Sequence, residues 1–296
     1  MSKDHLIILP CHGIWRIDLD SASQNCGQAA ENWFLAPFQI EGNDHLVFIK
    51  QSLRAVEEFL SHYENSVILF SGSQTKADAG PISEAQSYFL LIQKLITLAS
   101  EEDGMKLLTQ LFKQDIIIIL CNIVNSMKLK NITTSELFTK GFINTEEYSL
   151  DSFDNLLYSI FRFKEITNLF PQSITIVGFG FKESRFLNYH AKALDIPKSM
   201  INYISYDPEP LNYSQEQLDQ YFTTLTAMEN KNALSLFDND WYAKRDILLI
   251  KKESRNPYKR IATYDGLEQL HLNNLGGSDK EHYQTYIKSK MPWSKE

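Results

Sequence analysis

Two glutamates, several hydroxyl groups and a few cations stand in this chain where strands should give way to loops. Val67-Ile68-Leu69-Phe70 leads into Ser71-Gly72-Ser73, and Glu84 follows after a polar loop. Phe142-Ile143-Asn144-Thr145 leads into Glu146-Glu147. A carboxyl near a helix start at a strand's carboxyl end suits general acid or base work, so Glu84 and Glu147 are the first candidates. The competing reading is that each only complements a helix dipole, at about 0.3–1 kcal/mol. Glu146, Glu147, Ser149, Asp151, Ser152, Asp154 and Asn155 crowd residues 146–155 more densely than helix capping requires.

Positive charge comes from two places. After the apolar run Ser173–Val177, Gly178-Phe-Gly180-Phe-Lys182-Glu-Ser-Arg185 offers two glycines, a lysine and an arginine. Such a turn could hold an anion through backbone N–H groups and charge. It is not the dinucleotide fingerprint. The run Lys251–Arg260 is the local excess of basic residues, and Asn256-Pro257 would present Arg255 and Arg260 from a fixed loop. A solvated surface is the plainer alternative for that run. His12 and Gly13, in the loop after Leu6–Leu9, complete the candidate rim.

The spacing of apolar residues supplies the elements that must position these groups. Strands are expected at 6–9, 67–70, 142–145, 173–177 and 201–206, the last ending at Asp207-Pro-Glu-Pro210. Between them, helices are expected at 45–63, from about Ser83 to Ala99, from about Asp151, and through Leu194. A helical insertion falls around 101–135, and a C-terminal extension with a polar helix at 214–230 begins near 211. Short, continuously apolar strands alternating with helices specify a single α/β domain with a mostly parallel sheet. Ligands bind such sheets in the crevice at the strands' carboxyl ends. Ser71, Gly72 and Ser73 stand at that edge with His12, Gly13, Glu84, Ser149, Asp151, Ser152, Asn155, Lys182 and Arg185.

Several classes are disfavoured. A net charge of −8 over 296 residues argues against general nucleic-acid binding. No GxSxG, Walker or HExxH motif occurs. Metal binding would need scattered carboxylates such as Glu84, Glu147 and Asp151, suited to Mg²⁺, and no metal site is assigned. Cys11, Cys26 and Cys121 have no CxxC spacing. The first ten residues are too short in apolar run for a signal peptide, and Ile116–Val124 covers about half a bilayer. A cytoplasmic protein without stable membrane insertion is the expectation.

The series FSGSQTKADAGPISEAQSY, EEYSLDSFDNLL and ITIVGFGFKESRF resembles the YdcF-like group, which also takes in SanA and ElyC. That family's pattern is a strand ending in Ser-Gly-Gly, a Ser-Glu-Ala, a Glu-x-x-Ser-x-Asn-Thr-x-x-Asn block, and a strand followed by His-x-x-Arg. The matching positions are Ser71-Gly72, Ser83-Glu84-Ala85, Glu146 with Ser149, Ser152 and Asn155, and Arg185. By this correspondence Glu146 joins the catalytic candidates. Ser73, Asp151-Ser152 and Lys182 depart from Gly, Asn-Thr and His, and these variants look more like a fungal branch. The resemblance implies a Rossmann-like three-layer α/β/α sandwich with a polar cleft, and no particular reaction. The function expected is binding of a small anionic or nucleotide-like metabolite by a hydrolase or transferase, its cofactors unknown. The rival is a non-catalytic regulatory or scaffolding protein that retains the fold.

Overall fold

A computed structural model describes residues 3–22, 25–273 and 275–294. Its centre is a five-stranded parallel sheet of β1 (His5–Pro10), β4 (Ser66–Ser71), β5 (Ile143–Glu146), β6 (Ser173–Phe179) and β7 (Ile201–Tyr206). A short antiparallel pair, β2 (Ile14–Trp15) and β3 (Trp33–Phe34), branches from the loop after β1. Strand order in the sheet is β5-β4-β1-β6-β7. The chain therefore winds outward from β1 in one direction, returns, and winds outward in the other. β1 and β6 flank the switch point, where loops leaving their carboxyl ends diverge and leave a crevice.

β1 is buried at every residue because apolar layers cover its two faces. Alternate side chains serve alternate layers. Ile7 and Leu9, with Ile68, Phe70, Val177 and Phe179, pack under helices Asp44–Ser61, Glu84–Ala99 and Gln114–Leu129. Leu6 and Ile8, with Val67, Leu69, Ile174 and Ile176, pack on helix Ser152–Thr167 and the helical turns 185–193. The fold is thus the Rossmann-like three-layer α/β/α sandwich with a parallel sheet. At the opposite end of the sheet, His5 bridges Ser66 Oγ and Thr175 Oγ1, each at 2.9 Å, and so ties β1 to its two neighbours. Burial holds that imidazole down to about 4, which keeps it neutral.

The expected strands and major helices are found within a few residues of their expected limits. Ser83 caps its helix, accepting from Gln86 N at 2.9 Å, and Asp151 caps the next, accepting from Asp154 N at 2.9 Å. The 101–135 region forms helices Glu102–Leu111 and Gln114–Leu129, and Ile116, Leu120 and Ile123 of the second belong to the core. The segment from 211 onward supplies Phe237, Tyr242, Leu248, Tyr264 and Trp293 to the other layer. Trp293 Nε1 donates to Leu194 O at 2.7 Å, fixing the tail on the helical turns after β6. Among the described residues no helix is long and apolar enough to cross a membrane.

Candidate functional site

The end of β4 is a closed polar network. Ser71 Oγ donates to Glu146 Oε2 at 2.7 Å and accepts from Asn155 Nδ2 at 2.9 Å. Ser149 Oγ donates to the same carboxylate oxygen. Tyr148 N (2.7 Å) and Tyr264 OH (3.0 Å) donate to the other. Glu146 is 1% exposed, and burial raises its carboxyl while the four donors pull it back down. The backbone is used up as well. Gly72 N donates to Glu146 O and Ser73 N to Ser149 O, each at 2.9 Å. Gly72 is tightly packed: a Cβ there would stand 2.8 Å from Glu84 Oε2 and 3.1 Å from Cys11 Cβ, so a larger residue would have to push those side chains aside.

Above this floor lies a cavity of about 1080 Å³ at the switch point, walled by the loops after β1 and β6, helix Gln215–Glu229 and the end of helix Asp246–Ser254. Lys182 projects into it between Phe179 and Phe181, whose ring centroids are 5.1 and 5.4 Å from Nζ. His12 stacks on Phe179 with centroids 5.4 Å apart. Lys182 Nζ stands 3.4 Å from His12 Nδ1 and 3.3 Å from Nε2. A donor in line with one ring nitrogen would be much farther from the other, so the amine lies over the imidazole face. Burial first, then Arg185 and Arg255, lower Lys182 to about 7. Burial first, then Lys182, Arg185 and Arg255, hold His12 well below its usual range, so the ring is neutral.

The cavity's carboxylates differ in how far they are satisfied. Glu84 Oε1 accepts from Thr75 Oγ1 at 2.6 Å, and burial raises its carboxyl. Asp44, the first residue of helix Asp44–Ser61, is 5% exposed and its Oδ1 has no hydrogen-bond partner. Burial raises Asp44 to about 7, against the pull of Lys182. Glu229 is fully engaged, receiving the Arg185 guanidinium on its two oxygens. Arg185 Nη1 also reaches Ser152 Oγ at 3.3 Å, and that hydroxyl meets His190 Nε2 at 2.8 Å. Arg255 is exposed at the mouth, donating to Leu150 O at 3.2 Å. Asp151 also faces the cavity, but its charge is shared with Asp154 around the buried Lys252, at 3.2 and 2.7 Å.

Of the residues expected at the site, His12, Glu84, Ser149, Asp151, Ser152, Asn155, Lys182, Arg185 and Arg255 line the cavity. Ser71, Gly72, Ser73 and Glu146 lie in the floor. Gly13 is packed away from the cavity, where an added Cβ would meet Phe48 at 3.3 Å. Glu147 and Arg260 stand outside the cavity. Glu147 accepts from Thr145 Oγ1 at 2.8 Å and pairs with Arg260 at 3.6 Å, while the Arg260 guanidinium covers the Tyr148 ring at 4.6 Å. The basic run therefore divides. Lys251–Ser254 is helical, Arg255 ends that helix beside the cavity, and the turn at Asn256-Pro257 carries Arg260 away. Gly178, inside β6, and Gly180, just after it, are closely packed: a Cβ on Gly178 would stand 2.5 Å from Tyr203 OH and one on Gly180 2.7 Å from Asp207. Sequence reasoning missed Asp44, Lys252, Tyr264 and Glu229. Asp44 looks like an ordinary acidic residue in a first helical turn, and only its unpartnered burial distinguishes it.

A doubly wound parallel sheet with a polar cavity at its switch point places the chain among Rossmann-like α/β proteins. It is 49% identical over 300 residues to the uncharacterised protein YOR238W of Saccharomyces cerevisiae, an alignment spanning 99% of this chain and 98% of the yeast protein. The chain belongs to the family of that protein. No protein-family model matches the chain, and no solved structure matches it.

Proposed function

We propose that the protein binds a small anionic, nucleotide-like metabolite in the switch-point cavity and acts on it as a hydrolase or transferase. The observation that carries this reading is Lys182, a cavity-lining amine with no carboxylate within ion-pair distance among the described residues. A half-buried amine without a counter-ion is costly unless it sheds its proton or meets an anion. Arg255 and Lys76 add positive charge to the same cavity, and Phe38, Phe181 and Tyr221 offer ring faces for an aromatic part. Glu84, raised by burial in the same cavity, has the means to exchange a proton with a bound group. The resemblance to the YdcF-like group supports the same edge of the sheet as the working one.

A thermal-shift comparison of inorganic phosphate, adenosine and AMP tests the proposal. AMP should stabilise most, because it engages the cations and the aromatic wall together, and phosphate should stabilise less. Ligand at a hundredfold its Kd adds about 2.7 kcal/mol. No stabilisation by AMP or phosphate, or an equal response from a K182M variant, would contradict it.

A further inference from the structure

We propose that Lys182 is an amine nucleophile that forms an imine with a small anionic aldehyde or ketone held in the switch-point cavity. The inference rests on the binding reading above and narrows it to a carbonyl-bearing anion. Three geometric facts support it. Lys182 Nζ lies over the His12 ring face, so the imidazole does not occupy its lone pair by an in-line hydrogen bond. The neighbouring Phe179 and Phe181 rings keep one side of the amine dry. The other side opens to a cavity large enough for a metabolite, with Arg255 at its mouth to take the anionic group.

The charges facing the amine favour its neutral form. Arg185 and Arg255 push the proton off, while Asp44 and Glu229 pull the other way, and burial decides the balance. Glu229 is already held by Arg185, so its pull is largely spent on that guanidinium. Glu84 faces the same cavity from the β4 side, and His12 is neutral. In the step itself, the Lys182 lone pair attacks the carbonyl carbon and the C=O π pair moves to oxygen. A proton passes from nitrogen to that oxygen, giving the carbinolamine. The C–O bond then breaks, the nitrogen lone pair forms C=N, and the departing hydroxide takes one solvent proton to leave as water. The net change is amine plus carbonyl plus one proton giving iminium and water, with no oxidant or reductant. Hydrolysis of the iminium reverses it.

Borohydride trapping of the full-length protein with pyridoxal 5′-phosphate, an aldehyde that carries a phosphate, provides the test. Intact mass and peptide mapping should find one dominant adduct, on Lys182, forming at least tenfold faster than on any other lysine. Its rate should reach half its maximum near pH 7, because burial, Arg185 and Arg255 lower the amine to about 7, whereas surface lysines keep gaining at higher pH. K182R and K182M should each lose this adduct while keeping a cooperative melt. Labelling of Lys182 no faster than the surface lysines, or a dominant adduct elsewhere that persists in the two variants, would overturn the proposal. If AMP and phosphate stabilise the protein while Lys182 stays unlabelled, the imine fails and the anion-binding reading stands. If they do not stabilise it and Lys182 is unlabelled, the two fall together.

Discussion

Two buried polar clusters lie one above the other at the carboxyl end of this sheet, and they differ in one respect. Around Glu146 each carboxylate oxygen has its donors: Ser71, Ser149, Tyr264 and the Tyr148 amide converge on one carboxylate, and the Ser73 hydroxyl beside them is without a partner among the described residues. In the cavity above, Lys182 has no in-line partner and Asp44 Oδ1 has none at all. The first arrangement satisfies its own charge, and the second retains capacity to interact with something else. A satisfied network rigidifies the fold, whereas an unsatisfied one carries a desolvation cost that a ligand relieves. The contrast separates a carboxylate that holds the loops from the amine to which the proposed function assigns the ligand.

Breaking a satisfied cluster should cost most. Removing the Lys252 side chain with K252A leaves Asp151 and Asp154 buried without their cation, and unfolding by denaturant should show a loss of roughly 3–5 kcal/mol. That loss should shrink at pH 5, because Asp154, raised to about 6 by burial and Asp151, is then protonated and needs the cation less. Relieving an unsatisfied site should do the reverse. Asp44 is raised to about 7 in the fold, so the stability gained by its neutral form is present below the unfolded value near 4 and lost as pH rises through 7. D44N should accordingly gain about 2 kcal/mol at pH 8 and show no difference at pH 4. R255A should weaken AMP binding about tenfold, or 1.4 kcal/mol, by titration calorimetry, with stability little changed. R260A, which removes a partly exposed pair outside the cavity, should leave AMP affinity unaltered and cost about 0.2–1 kcal/mol of stability.

Sequence reasoning reached the sheet because its evidence is local. Val67–Phe70 and Ser173–Val177 are apolar at consecutive positions, and Ser83 and Asp151 announce their helices by residue type and place. The site was legible to the extent that loops at one sheet edge must converge: Glu84, Lys182 and Arg185 are indeed brought to one cavity. What was not legible is which polar residue meets which. Glu146 and Glu147 are adjacent in the chain, yet one enters the floor and the other pairs with Arg260 outside, because β5 ends at Glu146 and Glu147 already belongs to the loop beyond it. Arg255 and Arg260 look equivalent in sequence and are separated by the turn between them. The lowering of the Lys182 amine depends first on burial, and then on Arg185 and Arg255, which no local pattern displays.

The central claim is that the Lys182 cavity meets the ligand while the Glu146 network holds the floor. Melting temperature at pH 7 with and without AMP, measured side by side in K182M and E146Q, tests it most directly. The account predicts that K182M melts at or above the parent temperature and loses the AMP shift. It predicts that E146Q, which weakens a carboxylate hub by about 1–3 kcal/mol, melts lower and keeps the AMP shift. An E146Q protein that melts normally but no longer responds to AMP, beside a K182M protein that still does, would contradict it.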